Sequence, residues 1–341
     1  MKNAGRLFLL LFLCLTMTAC SVNVEKELPN VDTGSSTVQA ADQNKGGAVV
    51  DSGECGEEGD NVKWELDENG RLRIFGTGKM KSYSDPNEIS YYTHIDDVDS
   101  IVVESGVTGI TELAFTEFSN LKTVELPEGI TKIEGGTFGG CSSLESVEIP
   151  NSVTEIGDYA FYGCSNLESL VIPGSVTKIM EGAFSECSNL KSVEMPEGVT
   201  EISDKAFSGC IGLKSIVIPK SVTVIGVGAF QKCSSLESVE LPEGITKIES
   251  STFDGCSSLK SVKLSNGITS IYVGAFLGCS SLESIEIHDS VTFIGKSCFS
   301  GCVKLRDVYF TGSDEQWKKV TIDDDNMYLG SATVHCNSTM Q

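Results

Sequence analysis

The sequence predicts an α/β repeat solenoid of about ten 23-residue coils, stacked so that a parallel β-sheet forms one face. Three observations predict it. Cysteine recurs at Cys141, Cys164, Cys187, Cys210, Cys233, Cys256, Cys279 and Cys302, always 23 residues on. Phe keeps the same period from Phe115 to Phe299, and Leu keeps it from Leu121 to Leu305. Three residues past each Leu stands a β-branched or aliphatic residue (Val124, Val147, Leu170 and onward to Val308), and two further on another apolar one. That period-2 spacing is the signature of a half-buried strand. A fixed internal period overrides any division of 341 residues by ordinary domain size. Such chains grow in one dimension, each unit touching only its neighbours.

The chain opens on a leader. Lys2 and Arg6 precede the apolar run Leu7 to Leu15, too short to span a bilayer as a mature helix. The run ends in "MTAC", Met17 to Cys20, which resembles the lipobox of bacterial lipoproteins. That resemblance implies cleavage before Cys20 and its lipidation, and so an exported protein held by lipid on the outer face of a bacterial membrane. Residues 21–50 are small, polar and without apolar periodicity, as in a flexible tether. Residues 51–91 form an N-terminal cap. Val62, Trp64 and Leu66 alternate, Asn69-Gly70 turns the chain, and Leu72 and Ile74 alternate on the return, which predicts a β-hairpin.

The solenoid is expected over residues 92–310. Counting back one period from the first plain coil places Tyr92, Ile95, Val98, Ile101 and Val103 in the Phe, Cys, Leu, Val and Ile columns. This gives a tenth, degenerate coil, as terminal repeats usually are. Within a coil, L-x-x-V-x-I is the strand, and proline then ends it in six coils, from Pro127 to Pro242. "VTKI" or "VTEI" returns along another side, and G-x-x-A-F-x-x-C closes the coil as a helical or 3₁₀ turn with Phe driven inward. Residues 311–341 form a C-terminal cap. Ser313-x-x-Gln316 is a capping box that starts a short helix and lays Trp317 over the last coil's apolar edge.

The full repeat, S-L-x-S-V-x-I-P-x-S-V-T-x-I-G-x-x-A-F-x-x-C, resembles the BspA-like leucine-rich repeats of bacterial surface proteins. The segment from Ser52 to Met80 and the closing "YFTGSDEQWKKVTI" resemble that family's flanks. The resemblance implies a right-handed coil and a non-enzymatic binding or adhesion module on the cell surface. Its partners would be extracellular or host-surface proteins, matrix proteins among them, or glycans. Two other readings stay open: an envelope scaffold with no dedicated ligand, and a glycan-capturing accessory protein.

Composition narrows the chemistry. With 25 Lys+Arg against 48 Asp+Glu, the formal net charge is −23, and the leader takes away two bases and no acid. Such a polyanion repels nucleic acid, whose recognition depends on cationic contacts with phosphate. The thiol ladder spreads cysteines along the axis, whereas a metal site needs them converging on one point. The expectation is buried free thiols acting as small hydrophobes in the wall, with inter-coil disulfides the alternative. Off the ladder, Cys55 and Cys336 belong to opposite caps, and Cys298 fills the Ala position before Phe299. Only three histidines occur, His94, His288 and His335, so no Ser-His-Asp constellation assembles from the serine column. "IDDDN", residues 322–326, lacks the glycine and distal glutamate of a calcium loop and reads as a solvated acidic loop. No cofactor and no catalytic residue is expected. The candidate binding face is the outward column between the inward strand positions: Glu125, Glu148, Val171, Glu194, Val217, Glu240, Lys263, Glu286 and Tyr309. Val171, Val217 and Tyr309 would be its exposed apolar anchors.

Overall fold

The structure, a computed structural model, describes residues 46–83 and 85–340. Cys20, the leader and most of the tether lie outside the described residues. The described chain is a β-solenoid in which strands 23 residues apart pair parallel and in register. Val124 pairs with Val147, Leu170 with Val193, Val239 with Val262 and Ile285 with Val308. A second file of two-residue strands runs along the return side, with Ile133, Ile156, Ile179, Ile202 and Ile225 in register. It resumes at Ile248, Ile271 and Ile294. Where it breaks, Ile225, Leu241, Ile245, Ile248 and Phe253 lie together.

The core lies between the two strand files and the turn that closes each coil. There the phenylalanines stand in one stack from Phe115 to Phe299. Centroids are 5.3–5.8 Å apart and interplanar angles are 4–22°. Isolated aromatic pairs favour edge-to-face or offset geometry. Near-parallel rings follow here because each coil repeats the last by simple translation.

The closing segment is a run of single turns that never becomes a helix. Ala160, Tyr162 and Cys164 donate their amides three residues back, to Gly157, Tyr159 and Phe161. Tyr159, Phe161 and Gly163, between them, donate to Glu181, Ala183 and Ser185 of the next coil. The alternation requires left-handed backbone on either side of Phe161, at Tyr159 (φ 54°) and Gly163 (φ 68°). Gly182 occupies the Tyr159 place one coil on, and a Cβ there would strike the Tyr159 ring. Bulky and glycine residues therefore interchange in this column because one lies on the other.

Both ends of the stack are covered. β1 (Val49–Gly56), β2 (Gly59–Asp67) and β3 (Arg71–Gly76) form an antiparallel meander. The expected hairpin is β2–β3, with Trp64 opposite Ile74 and Leu66 opposite Leu72. β1 pairs outside it, in part on residues that read as tether. β3 also pairs parallel with residues 100–103, Leu72 beside Ile101 and Ile74 beside Val103, and so starts the solenoid sheet. In the degenerate coil the Phe place belongs to Tyr91, not Tyr92. Tyr91 is fully buried, lies 6.0 Å from Phe115 and donates its hydroxyl to the Ala114 carbonyl. Tyr92, half-buried, packs edge-on against Phe118.

At the far end, α1 (Asp314–Trp317) carries the reciprocal Ser313/Gln316 capping box, and Trp317 packs 5.1 Å from Phe310. Residues 321–322 then extend the return-side strand file, and residues 333–336 extend the main sheet. The acidic loop between them is not simply solvated. Ser297 and Phe299 would each donate to a further coil; instead they donate to the Asp324 carbonyl and the Asn326 Oδ1, at 3.0 and 3.1 Å. Asn326 is buried, and its Nδ2 donates to Gly295 and Asp323 carbonyls. One side chain thus stands in for the missing coil's backbone.

Candidate functional site

The ladder thiols face inward. All eight are free and buried, and each Sγ donates to the carbonyl of the Phe 26 residues earlier, from Cys141 on Phe115 (3.1 Å) to Cys302 on Phe276 (3.2 Å). The column is therefore more than small apolar filling. From Phe138 onward it gives each of these carbonyls a second donor, beside the backbone amide three residues on. Burial raises the thiol pKa throughout, to about 12 at Cys187, Cys256 and Cys302. The nucleophilic thiolate is correspondingly scarce. The place before Cys141 in the file is Phe118, fully buried and edge-on to Phe115 at 6.1 Å. Cys298 also donates inward, to Tyr272 O at 2.8 Å. Among the described residues no group of three or more His, Cys, Asp or Glu side chains could hold a metal ion.

The strand face is the large surface left open. Its first seven predicted residues, Glu125 to Lys263, are exposed, projecting between buried or half-buried strand neighbours. Val171 is 60% and Val217 80% exposed, the two clearest breaks in an otherwise polar column. Beside them runs a file of exposed hydroxyls: Ser146, Ser169, Ser192, Ser215, Ser238 and Ser261. Ion pairs bridge neighbouring coils at Glu168–Lys191 and Glu237–Lys260 (both 2.8 Å), and at Glu240–Lys263 (2.5 Å). Exposed pairs of this kind contribute a few tenths of a kcal/mol, roughly, so they shape the face more than they stabilise it. Among the described residues no ion pair involves Glu125, Glu148 or Glu194.

The last two residues of the predicted column differ. Tyr309 is half-buried beneath the His335 ring, stacked at 5.0 Å, so it is no exposed anchor. His335 is fixed in turn by Asp307, 2.7 Å from its Nε2. Glu286 is half-buried and accepts the Met340 amide at 2.7 Å. Sequence reasoning missed this cover because residues 333–340 carry none of the repeat's columns. The one available signal was the alternation of Val334 and Cys336, a short strand pattern.

A stack of 23-residue coils with L-x-x-V-x-I strands and an open strand face defines a leucine-rich-repeat protein. More particularly, the BspA type leucine rich repeat region matches residues 88–214 and 200–327 in six copies, most of the chain, and the chain belongs to that family. Among solved structures it is similar to the pneumococcal vaccine antigen PcpA, at 21% identity over 87% of this chain and 89% of that one, with a TM-score of 0.50. It is also similar to a leucine rich cell surface protein of Faecalibacterium prausnitzii, at 26% identity over 77% and 97% of the two chains, TM-score 0.39. A leucine-rich repeat protein from Bacteroides ovatus matches at 22% identity over 81% and 98%, TM-score 0.40. No curated protein matches the sequence.

Proposed function

We propose that this chain is a lipid-tethered, non-enzymatic binding module on the outer face of a bacterial membrane, engaging an extracellular protein through the strand face. The observation that carries the reading is the pair Val171 and Val217, left bare in the middle of a polar sheet while the cap covers the end of the same column. The two valines are apolar contact points within a polar face, and a solenoid offers an extended binding surface over its whole length. The family supports the reading. No helix among the described residues is long and apolar enough to cross a membrane.

The test replaces Glu194, Val217 and Glu240 together by lysine and measures attachment to immobilised host matrix proteins and to a glycan array. At least a tenfold loss of protein binding is expected with unchanged circular dichroism. Unaltered attachment would remove the strand face as the contact surface. Capture of glycans alone would favour the accessory role.

A further inference from the structure

The strand face already carries one peptide segment, its own. Beyond Cys336 the chain turns back along the sheet. Asn337 donates its amide to Gly312 (2.8 Å), Ser338 to Phe310 (3.3 Å) and Met340 to the Glu286 carboxylate (2.7 Å), while Met340 Sδ lies 3.3 Å from the Ser284 hydroxyl. His335 is in register with Tyr309, and Tyr309 with Glu286. The segment thus passes two coils along the solenoid axis, using the outward carboxylate column and the hydroxyl column beside it.

Followed further, that line crosses the Lys263–Glu240 pair and reaches Val217, Glu194, Val171 and Glu148. Carboxylate and valine alternate strictly here, so each carboxylate stands two coils from the next. At about 4.7–4.9 Å per coil the carboxylates recur roughly every 9.6 Å. A polyproline II chain has three residues per turn and rises about 3.1 Å per residue, so it returns a side chain to the same side roughly every 9.3 Å. A β-strand does so at about 6.7 and 13.4 Å. A helix with one residue per heptad does so at about 10.5 Å, and drifts out of step about three times faster.

Resting on the strand-face reading above, we infer that the face from Glu148 to Glu240 binds an extended, polyproline-II-like basic peptide lying along the solenoid axis. A lysine or arginine at every third position meets Glu148 and Glu194, and exchanges with Lys263 at Glu240. The residues between rest on Val171 and Val217. Such a chain has no internal hydrogen bonds, so the amides at its lysine positions are free for the carboxylates and serines, as the Met340 amide is for Glu286.

The experiment measures fluorescence anisotropy of labelled peptides on the full-length chain at low salt. The peptides are (Pro-Pro-Lys)₆, a scramble of identical composition, and a helical peptide with lysine once per heptad. The every-third peptide is expected to bind at least tenfold tighter than either. Glu148→Gln with Glu194→Gln should abolish that preference, and Val217→Ser should weaken binding about threefold, with unchanged circular dichroism in each. Equal affinity for peptide and scramble, still weakened by the glutamine pair, overturns the spacing inference and leaves the strand face as a contact surface. If no face variant alters binding of any peptide or matrix protein, both fail.

Discussion

The middle coils and the two ends solve the same problem with different materials. In the middle, the Phe amide of each closing turn meets a backbone carbonyl because the neighbour is a copy: Phe161 donates to Ala183, Phe184 to Ala206, Phe207 to Ala229. At the C-terminal end the copy is missing, and Phe299 donates to the Asn326 side chain instead. At the N-terminal end Tyr91 takes the Phe place and reaches Ala114 with its hydroxyl. At this place in the coil repetition satisfies the backbone without dedicated residues, whereas termination needs particular side chains. The middle should therefore be hurt most by loss of volume, and the ends by loss of a single polar atom.

The largest effect is expected from Phe207→Ala. Its ring is fully buried between Phe184 and Phe230, at 5.5 and 5.8 Å. Truncating such a residue costs about 3–5 kcal/mol, through lost transfer energy and the cavity left behind. In a one-dimensional array the loss falls on both neighbouring interfaces. Urea unfolding should become broader or biphasic as the halves uncouple, and a single sharp transition would contradict nearest-neighbour coupling. Asn326→Ala tests the other side of the contrast. It leaves the buried Phe299 amide without its partner, worth about 1–3 kcal/mol. The damage should appear in hydrogen exchange as fraying confined to residues 293–336, with the middle coils unchanged.

This contrast also explains what the sequence revealed. The columns of Phe, Leu, Cys and β-branched residues expose the coil, its strand and its inward face, because translation repeats every buried environment nine times over. The outward column was legible by the same alternation from Glu125 to Lys263. Tyr309 and Glu286 were misjudged because what covers them, His335 and Met340, arrives from an aperiodic segment. Asn326 was hidden inside an acidic run whose composition reads as solvent-facing. The shift from Tyr92 to Tyr91 at the first coil reflects one residue accommodated in a 3₁₀ turn, Ser90–His94, where the period no longer holds. The thiol hydrogen bond escaped notice for another reason: cysteine's donor capacity is weak, and period alone does not distinguish a wall from a donor.

A smaller effect separates those two roles. Cys210→Ala removes both a buried sulfur and the donor to the Phe184 carbonyl, 3.2 Å away. The carbonyl keeps the Cys187 amide, 3.3 Å away, so we expect a loss of about 1 kcal/mol by chemical denaturation, the usual net worth of one hydrogen bond. Cys210→Val replaces the donor by slightly larger apolar volume; if it matches wild type, the column is wall alone. The native protein should react slowly with an alkylating reagent at the ladder thiols, and its reaction should rise to completion on unfolding. Rapid native labelling at Cys187 or Cys210 would contradict the burial.

The smallest effect lies at the N-terminal end and depends on pH. His94, on the 3₁₀ turn, has its Nε2 2.7 Å from Asp51 of β1 and its Nδ1 3.3 Å from Asp97, with the Trp64 ring centred 6.1 Å away. The Asp51 hydrogen bond, aided by Asp97, raises the His94 pKa above its ordinary 6.5, and the same bond is the main reason Asp51 falls below its ordinary 3.8. For the histidine, the stabilisation is complete below about 6.5 and is lost as pH rises through the raised value. For the aspartate, it is present above about 3.8 and is lost as pH falls through the lowered one. The pair therefore holds β1 best between roughly pH 4 and 6.5. Amide exchange in β1, corrected for intrinsic rate, should become faster between pH 6 and 8.5 in wild type but not in His94→Gln, while residues 169–263 stay indifferent in both. If the variant keeps the wild-type pH trend, β1 is anchored by its backbone pairing with β2 alone, and this end terminates the stack without a charged contact.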